Sequence, residues 1–302
     1  MALYKSRRIR SRRKRKNQFI ILTFIALLIL FSGLFFLFKF TLRKINDHLN
    51  RKAIQKTASV KRRAVYKKLE KTIYIPILMY HYVEYVKDTK DTIRQSLNIN
   101  PYLFEEQIKT LSEAKYTFLT ARDLGRVLDG KRPLPPKPIL ITIDDGHWDL
   151  DTDILPILQK YNAHATAYII SGFLNTSDFL STKQLQHVID SGLVEIGAHT
   201  VHHAFVKNAS LKTIVYEIEE SKKMLEETFG IEVTSFAYPS GYYDLQSVQV
   251  VENAGFVTAM STNHGTEVNQ ENRYYLNRLR PGGRVGEGLL MWLAEITLPK
   301  NK

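Results

Sequence analysis

The sequence predicts an α/β protein, a distorted (β/α) barrel preceded by a single N-terminal transmembrane helix. From residue 72 onward, short apolar β-type runs alternate with amphipathic helical patterns, which is typical of a buried parallel sheet. Before them, residues 19–38 carry no charge, and a run of this length crosses a bilayer as a helix. We therefore divide the chain into a basic tail (1–18), an anchor (19–40), a basic stalk (41–71) and one folded domain (72–302).

The N-terminal apolar run is predicted to be an uncleaved anchor. Nine Lys and Arg residues precede it and five follow closely, so the positive-inside rule places the N-terminus in the cytoplasm. The domain would then lie outside the cell on a single-pass membrane protein. A cleaved signal peptide is the alternative, but the run is longer than a usual signal-peptide core and no A-x-A-like site follows it.

The net charge of +13 comes from the N-terminal part of the chain. Residues 76–302 contain 22 basic and 28 acidic residues, so the domain lacks the electrostatic signature of nucleic-acid binding. The charge of the stalk suits either a solvated helix surface or attraction to lipid headgroups or an anionic wall polymer. The absence of cysteine is compatible with an exported domain that has a sufficient core.

The domain contains six strand-like and six helix-like segments in alternation, which suits one barrel rather than two small domains. The predicted strands are 73–82, 139–143, 165–170, 194–198, 235–238 and 256–261. The predicted helices are 101–114, 121–128, 151–161, 182–191, 211–229 and 245–254. Ser181 and Gln184 form a candidate capping box, and Gly230 is well placed to end the longest helix.

Two motifs follow predicted strands, where barrel enzymes keep their catalytic residues. Residues 199–203 read His-Thr-Val-His-His, and the spacing of His199 and His203 lets both imidazoles converge on one metal ion. We expect His202 to be a neighbour and not a ligand. Residues 142–146 read Thr-Ile-Asp-Asp-Gly, and two adjacent carboxylates at a strand end point in different directions. One of them is predicted to bind the metal while the other faces the substrate.

These motifs resemble those of the polysaccharide deacetylases of carbohydrate esterase family four, over about residues 73–296. The segment Ile-Pro-Ile-Leu-Met-Tyr-His-Tyr at 75–82 is similar to the branch of membrane-anchored and poly-N-acetylglucosamine deacetylases. The resemblance implies that Asp145, His199 and His203 bind a divalent metal, usually zinc, and that Asp144 is the general base. The base would deprotonate a water whose pKa the metal lowers, and the water would attack an acetamide carbonyl.

The chain departs from the family pattern in two places. Residues 236–241, Phe-Ala-Tyr-Pro-Ser-Gly, stand where the family has Arg-x-Pro-Tyr, so Ala237 replaces an arginine and Ser240 a tyrosine. The backbone N–H of Ser240 still suits stabilisation of the oxyanion. Arg278 and Arg280 are both candidates for restoring a cation beside Asp144. The alternative for each is an ordinary surface arginine.

The second departure is a missing C-terminal histidine, because Leu276-x-x-Leu279 stands where many members have Leu-x-x-His. His264 and His81 are the remaining candidates for the general acid, and His81 also counts among the candidate substrate-binding residues. Trp148 and Tyr238 are the other candidates for contact with sugar rings, with ordinary barrel packing as the alternative for Tyr238.

The resulting prediction is a membrane-anchored, zinc-dependent N-deacetylase of N-acetylglucosamine residues in an extracellular envelope glycan. Peptidoglycan, a wall glycopolymer or its linkage unit, and poly-N-acetylglucosamine all remain open as substrates. The alternative is a non-catalytic glycan-binding protein on the same fold, which the two departures favour and the intact Asp and His motifs disfavour. Hydrolysis of a small non-glycan amide is a third possibility that a membrane anchor disfavours.

Overall fold

The computed structural model describes residues 71–86 and 90–298. The predicted tail, the anchor and nearly all of the predicted stalk lie outside these residues and remain predictions. Within the described ranges, no helix is both long enough and apolar enough to cross a membrane.

The strands are short and in the main sheet all parallel. In chain order they are β1 (Ile73–Tyr74), β2 (Ile77–Tyr80), β3 (Tyr82–Val83), β4 (Asn98–Ile99), β5 (Thr117–Leu119), β6 (Pro138–Asp145), β7 (Ala165–Ile169), β8 (Val194–Ala198), β9 (Ser235–Ala237), β10 (Thr258–His264), β11 (Glu267–Val268) and β12 (Leu276–Arg278). The main sheet runs β12-β10-β9-β8-β7-β6-β2, and β5 pairs with the first residues of β6. Two small pairs, β1 with β11 and β3 with β4, stand apart from it.

The sheet nearly closes on itself between its first and last strands. Leu78 of β2 forms a parallel bridge with Leu279, directly after β12. Met79 donates its N–H to the Leu279 carbonyl, and Leu279 donates to the Ile77 carbonyl, each at 2.8 Å. A near-closed parallel barrel with helices between its strands is therefore the fold, as the alternation of elements predicted.

Helices follow most strands of the barrel, and six of the nine α-helices in the described residues begin at a side chain that accepts a backbone N–H of the first turn. They are α1 (Thr92–Leu97), α2 (Pro101–Glu113), α3 (Ala121–Leu128), α4 (Leu155–Tyr161), α5 (Thr182–Asp190), α6 (Leu211–Val215), α7 (Ser221–Phe229), α8 (Leu245–Asn253) and α9 (Gly286–Thr297). The predicted capping box of Ser181 and Gln184 is present at the start of α5. Gly230 ends α7 in the left-handed conformation, at φ 65°, also as predicted.

Two π-helical turns interrupt the helical segments that follow the two motif loops. Leu150–Ile154 precedes α4 after the Asp-Asp-Gly loop, and Tyr216–Glu220 joins α6 to α7 after the histidine loop. π-turns are rare and occur often at functional sites, since the wider turn changes the direction of one side chain. The second turn carries Glu217, which contacts the histidine loop.

The strands alternate between two buried environments. Their outward residues pack with the helices in the larger core, which includes Ile141, Ile143 and Phe236. Their inward residues fill the barrel, where Leu140, Met260 and Leu276 lie with Tyr168. The prediction of one strand over 73–82 was wrong, because the segment is divided into β1, β2 and β3. Pro76, which has no N–H to donate, lies in the break between β1 and β2.

Candidate active site

The carboxyl ends of the parallel strands bring the predicted site residues to one end of the barrel. Asp144 and Asp145 are the last two residues of β6, and His199 directly follows β8. Arg278 is the last residue of β12, and His81 directly follows β2. Residues far apart in the chain therefore meet because their strands end at the same edge.

Asp145, His199 and His203 form a group whose donor atoms all lie within 4.8 Å of one another. The Asp145 Oδ1 atom is 3.3 Å from His199 Nε2 and 3.5 Å from His203 Nε2. This oxygen is buried and accepts no hydrogen bond. A buried carboxylate oxygen without a donor, facing two imidazole nitrogens, fits a divalent cation with one carboxylate and two histidine ligands.

The orientation of His199 also suits a ligand. Its Nδ1 lies 2.8 Å from the Ala237 carbonyl oxygen, which can only accept, so Nδ1 carries the proton and Nε2 faces Asp145. Burial lowers the pKa of His199, but the Asp145 and Asp144 carboxylates outweigh it and raise that pKa overall. Burial raises the pKa of Asp145, yet the nearby imidazoles of His147 and His199 hold that pKa well below its usual range. A bound cation would take the place of the proton that His199 attracts.

The buried side chain of Glu217 hydrogen-bonds to the histidine loop, residues 199–203. Its Oε2 accepts the backbone N–H of Val201 at 2.9 Å and of His202 at 3.0 Å. Its Oε1 lies 2.9 Å from His202 Nδ1. His202 therefore points away from the metal group, as predicted, and Glu217 fixes the turn between His199 and His203.

Asp144 forms a two-point ion pair with Arg278 inside the barrel. Arg278 Nη1 donates to Asp144 Oδ1 at 2.7 Å, and Nη2 donates to Oδ2 at 2.6 Å. Burial raises the pKa of Asp144, but the Arg278 guanidinium holds that pKa below its usual value. Of the two candidate arginines, Arg278 is therefore the one beside the carboxylate, whereas Arg280 is exposed.

The guanidinium of Arg278 is itself fixed by the barrel. Its Nε donates to the Ser261 carbonyl at 2.8 Å, and Nη1 also donates to Thr142 Oγ1 at 3.1 Å. Thr142 in turn donates to the Leu78 carbonyl at 2.8 Å. This network fixes the position of the guanidinium and therefore the orientation of the Asp144 carboxylate.

His81 is the imidazole nearest to Asp144 outside the metal group, with Nε2 3.9 Å from Oδ2. Burial lowers the pKa of His81, and the negative charge of Asp144 opposes that effect in part. His264 is exposed at the last residue of β10, and no contact joins it to Asp144. The structure thus places His81, and not His264, beside Asp144.

His147 is a site residue that the sequence reasoning missed. Its ring is buried between Tyr82 at 4.0 Å and Phe179 at 4.6 Å, measured between ring centroids. Its Nε2 lies 3.5 Å from Asp145 Oδ2, and its Nδ1 lies 3.1 Å from the Asp178 carbonyl oxygen. Its position two residues after Asp145, on the same loop, was the available signal.

The structure separates the predicted substrate contacts Tyr238 and Trp148 and places Ser240 in the loop after β9. Tyr238 is fully buried in the core and donates its hydroxyl to the Tyr274 carbonyl at 3.0 Å, so its assignment as a substrate-binding residue was wrong. Trp148 is half-buried in the loop after β6. Ser240 is exposed after β9 in the left-handed conformation, at φ 53°, a backbone strain that functional loops often retain.

Known proteins share this domain. The family described as polysaccharide deacetylase matches residues 131–259. The poly-beta-1,6-N-acetyl-D-glucosamine N-deacetylase of Staphylococcus aureus is 28% identical over 198 residues, which are 61% of this chain and 68% of that protein.

Solved structures agree with the match. The Streptococcus pyogenes deacetylase PplD, solved in complex with acetate, is 28% identical with a TM-score of 0.67, covering 76% of this chain and all of that one. A polysaccharide deacetylase from Bacillus cereus is 26% identical with a TM-score of 0.63, covering 74% of this chain and 69% of that one. The chain therefore carries a domain of the polysaccharide deacetylase family, carbohydrate esterase family four.

Proposed function

We propose that this protein is a metal-dependent N-deacetylase that removes acetyl groups from N-acetylglucosamine residues of an extracellular cell-envelope glycan. The observation that carries the proposal is the pairing of a buried, arginine-held carboxylate, Asp144, with an adjacent metal-binding group. The Staphylococcus aureus relative is an N-deacetylase and the Streptococcus pyogenes relative is a deacetylase, which supports this reaction. Peptidoglycan, a wall glycopolymer or its linkage unit, and poly-N-acetylglucosamine are the candidate polymers.

Asp145, His199 and His203 would hold the cation, with zinc as the expected ion and other divalent metals as alternatives. A divalent cation held there supplies Lewis acidity, which lowers the pKa of water toward neutrality and favours negative charge on a carbonyl oxygen. The protein contributes a fixed donor set, because Ala237 orients His199 and Glu217 fixes the loop that carries both histidines.

Asp144 is the proposed general base. Its low pKa keeps it ionised at neutral pH, and Arg278 orients it. Asp144 would accept a proton from the attacking water as the new C–O bond forms at the acetamide carbonyl. The backbone N–H of Ser240 is the proposed donor to the oxygen that becomes negative.

His81 is the proposed proton donor to the leaving nitrogen. It lies beside Asp144, whose negative charge favours the protonated ring and partly offsets the lowering of the His81 pKa by burial. Cleavage of the C–N bond would release acetate and leave an amine on the sugar. That amine becomes cationic at neutral pH and would reduce the negative charge of the envelope.

The location is a proposal from the sequence. The charge-free run at 19–38, with more basic residues before it than after it, supports a single-pass membrane protein with its domain outside the cell. The partners would then be the membrane and an extracellular glycan. The acidic balance of residues 76–302 disfavours nucleic acid as a partner.

The proposal is tested by measuring acetate release from peptidoglycan, a teichoic-type wall polymer and poly-N-acetylglucosamine. The full chain is compared with and without chelator, and with the Asp144→Asn variant. We expect release from one polymer that stops with chelator, returns with Zn²⁺ and is absent in the variant. If the protein binds zinc and a glycan but releases acetate from no polymer, the result would instead favour a non-catalytic glycan-binding protein.

A further inference from the structure

Phe205 and Tyr242 form an exposed aromatic pair between the loops that carry His203 and Ser240. Their ring centroids are 5.7 Å apart at an angle of 71°, so the edge of one ring meets the face of the other. Phe205 is 58% exposed and Tyr242 is 54% exposed. Burial would stabilise large aromatic side chains, so an exposed pair in contact indicates a binding surface.

The pair comes from two loops of the site. Phe205 lies two residues after the metal-group residue His203, and Tyr242 lies two residues after Ser240, the proposed oxyanion donor. The two loops follow the neighbouring strands β8 and β9, which pair through Ala198 and Phe236. The aromatic pair therefore borders the place where the acetamide would bind.

The two loops are tied together, so the pair is held in place before any ligand binds. Asp244 Oδ2 accepts the backbone N–H of Asn208 at 2.8 Å, which joins the Tyr242 loop to the Phe205 loop. Thr262 donates its hydroxyl to the Ser240 carbonyl at 3.0 Å. Gly241, at φ 74°, packs so closely that a Cβ atom there would lie 2.1 Å from Thr262 Oγ1. Rigid aromatic groups lose little conformational entropy on binding.

We propose that Phe205 and Tyr242 bind a second sugar ring of the glycan, next to the residue that is deacetylated. This inference rests on the proposed function and makes it more specific, because it requires an oligosaccharide substrate and not a single sugar. Sugar rings present apolar C–H faces, which pack on aromatic surfaces without any charged partner. Within the described part of the chain, both members of this pair are exposed and both lie in loops of the candidate site.

The test is the dependence of kcat/KM on substrate length. Acetate release by the full chain is measured with N-acetylglucosamine and with its β-1,4- and β-1,6-linked oligomers of two to five sugars. We expect kcat/KM to rise with length for the wild type in at least one series. Phe205→Ala and Tyr242→Ala should each reduce the ratio of pentamer to monosaccharide kcat/KM by about three- to tenfold.

Leu134→Ala is the matched control, because Leu134 is an exposed apolar residue in the loop before β6, at the opposite end of that strand from Asp145. This variant should keep the wild-type length dependence. Zn²⁺ affinity and the melting temperature are measured for all variants, and both should match the wild type if the pair acts only on the glycan.

The outcomes separate this inference from the proposed function. No acetate release by the wild type from any oligomer or polymer would contradict the proposed function itself. Release that does not depend on length, or a length dependence that both alanine variants retain, would overturn the inference and leave the function standing. Reduced binding of the variants to anionic lipid vesicles, with unchanged length dependence, would also overturn it and assign the pair to the membrane surface.

Discussion

Arg278 and Asp144 meet through two parallel hydrogen bonds although 134 positions separate them in the sequence. The guanidinium reaches the carboxylate from β12, across the interior of the barrel, and Ala237 stands where the family motif has an arginine. The cation beside the base is thus present but comes from a different strand. Because both groups are buried, neither tolerates the loss of the other.

Arg278→Gln should reduce kcat/KM about 100-fold or more, because the base loses its orientation. It should also move the acid limb of the pH–rate profile to higher pH. Asp144 must be ionised to act, and without Arg278 the largest remaining influence on its pKa is burial, which raises it. Arg280→Gln, at an exposed position, is the control and should keep the acid limb, because the charge of Arg280 acts on His81 and not on Asp144. An acid limb that stays in place in Arg278→Gln would contradict the role given to this ion pair.

His81→Asn should lower kcat by about 10²- to 10⁴-fold, the usual contribution of a general acid. Zn²⁺ affinity should change little, since His81 lies outside the metal group. His264→Asn is the matched change at an exposed histidine and should leave kcat within a few-fold of the wild type. The reverse pattern, with a large loss only in His264→Asn, would reassign the acid.

Glu217→Gln should weaken Zn²⁺ binding by about 10- to 100-fold, in the range seen when groups that orient metal ligands are changed. The amide cannot accept all three hydrogen bonds that the carboxylate accepts from Val201 and His202. Isothermal titration calorimetry with Zn²⁺ measures the effect directly. Glu219→Gln, an exposed change on the same π-turn, is the control. Equal affinities in the two variants would limit Glu217 to a structural role.

Asp149→Asn should flatten the dependence of stability on pH. Burial raises the pKa of Asp149 to about 6, while its side chain accepts the backbone N–H of Val83. The folded state therefore binds this proton more tightly than the unfolded state, and the wild type loses stability from this group as pH rises from about 4 to above 6. Urea unfolding at several pH values should show a loss of up to about 3 kcal/mol that is absent in the variant. Parallel curves would contradict the assignment.

The alternation of apolar strands and amphipathic helices was sufficient to predict the barrel and most of its elements. Helix α3 and strand β8 have the predicted bounds. The three-residue strands β5 and β12 were missed, because so few residues show no periodicity and are strands only through their neighbours. The π-turns were missed for a similar reason, since 211–229 reads as one continuous helix.

The site was predictable where its residues are adjacent in sequence. Asp144, Asp145, His199 and His203 follow strands, and parallel strands end together, so their convergence follows from the fold. The choice between Arg278 and Arg280 was not available, because residues two apart share one face of a strand and the sequence does not show that β12 ends at Arg278. Tyr238 was misplaced because the sequence does not show that its side chain, directly after β9, packs in the core with the helices.

The closure of the barrel through Leu279 has a consequence for how the protein becomes active during synthesis. Every donor of the metal group is already present once residue 203 has been made, yet the counter-charge of Asp144 belongs to the final strand. A chain that ended before residue 276 would retain the metal donors but leave a buried carboxylate without its cation. The ion pair of Asp144 and Arg278 is therefore among the last features to form, so incomplete chains would lack the oriented carboxylate of the proposed base.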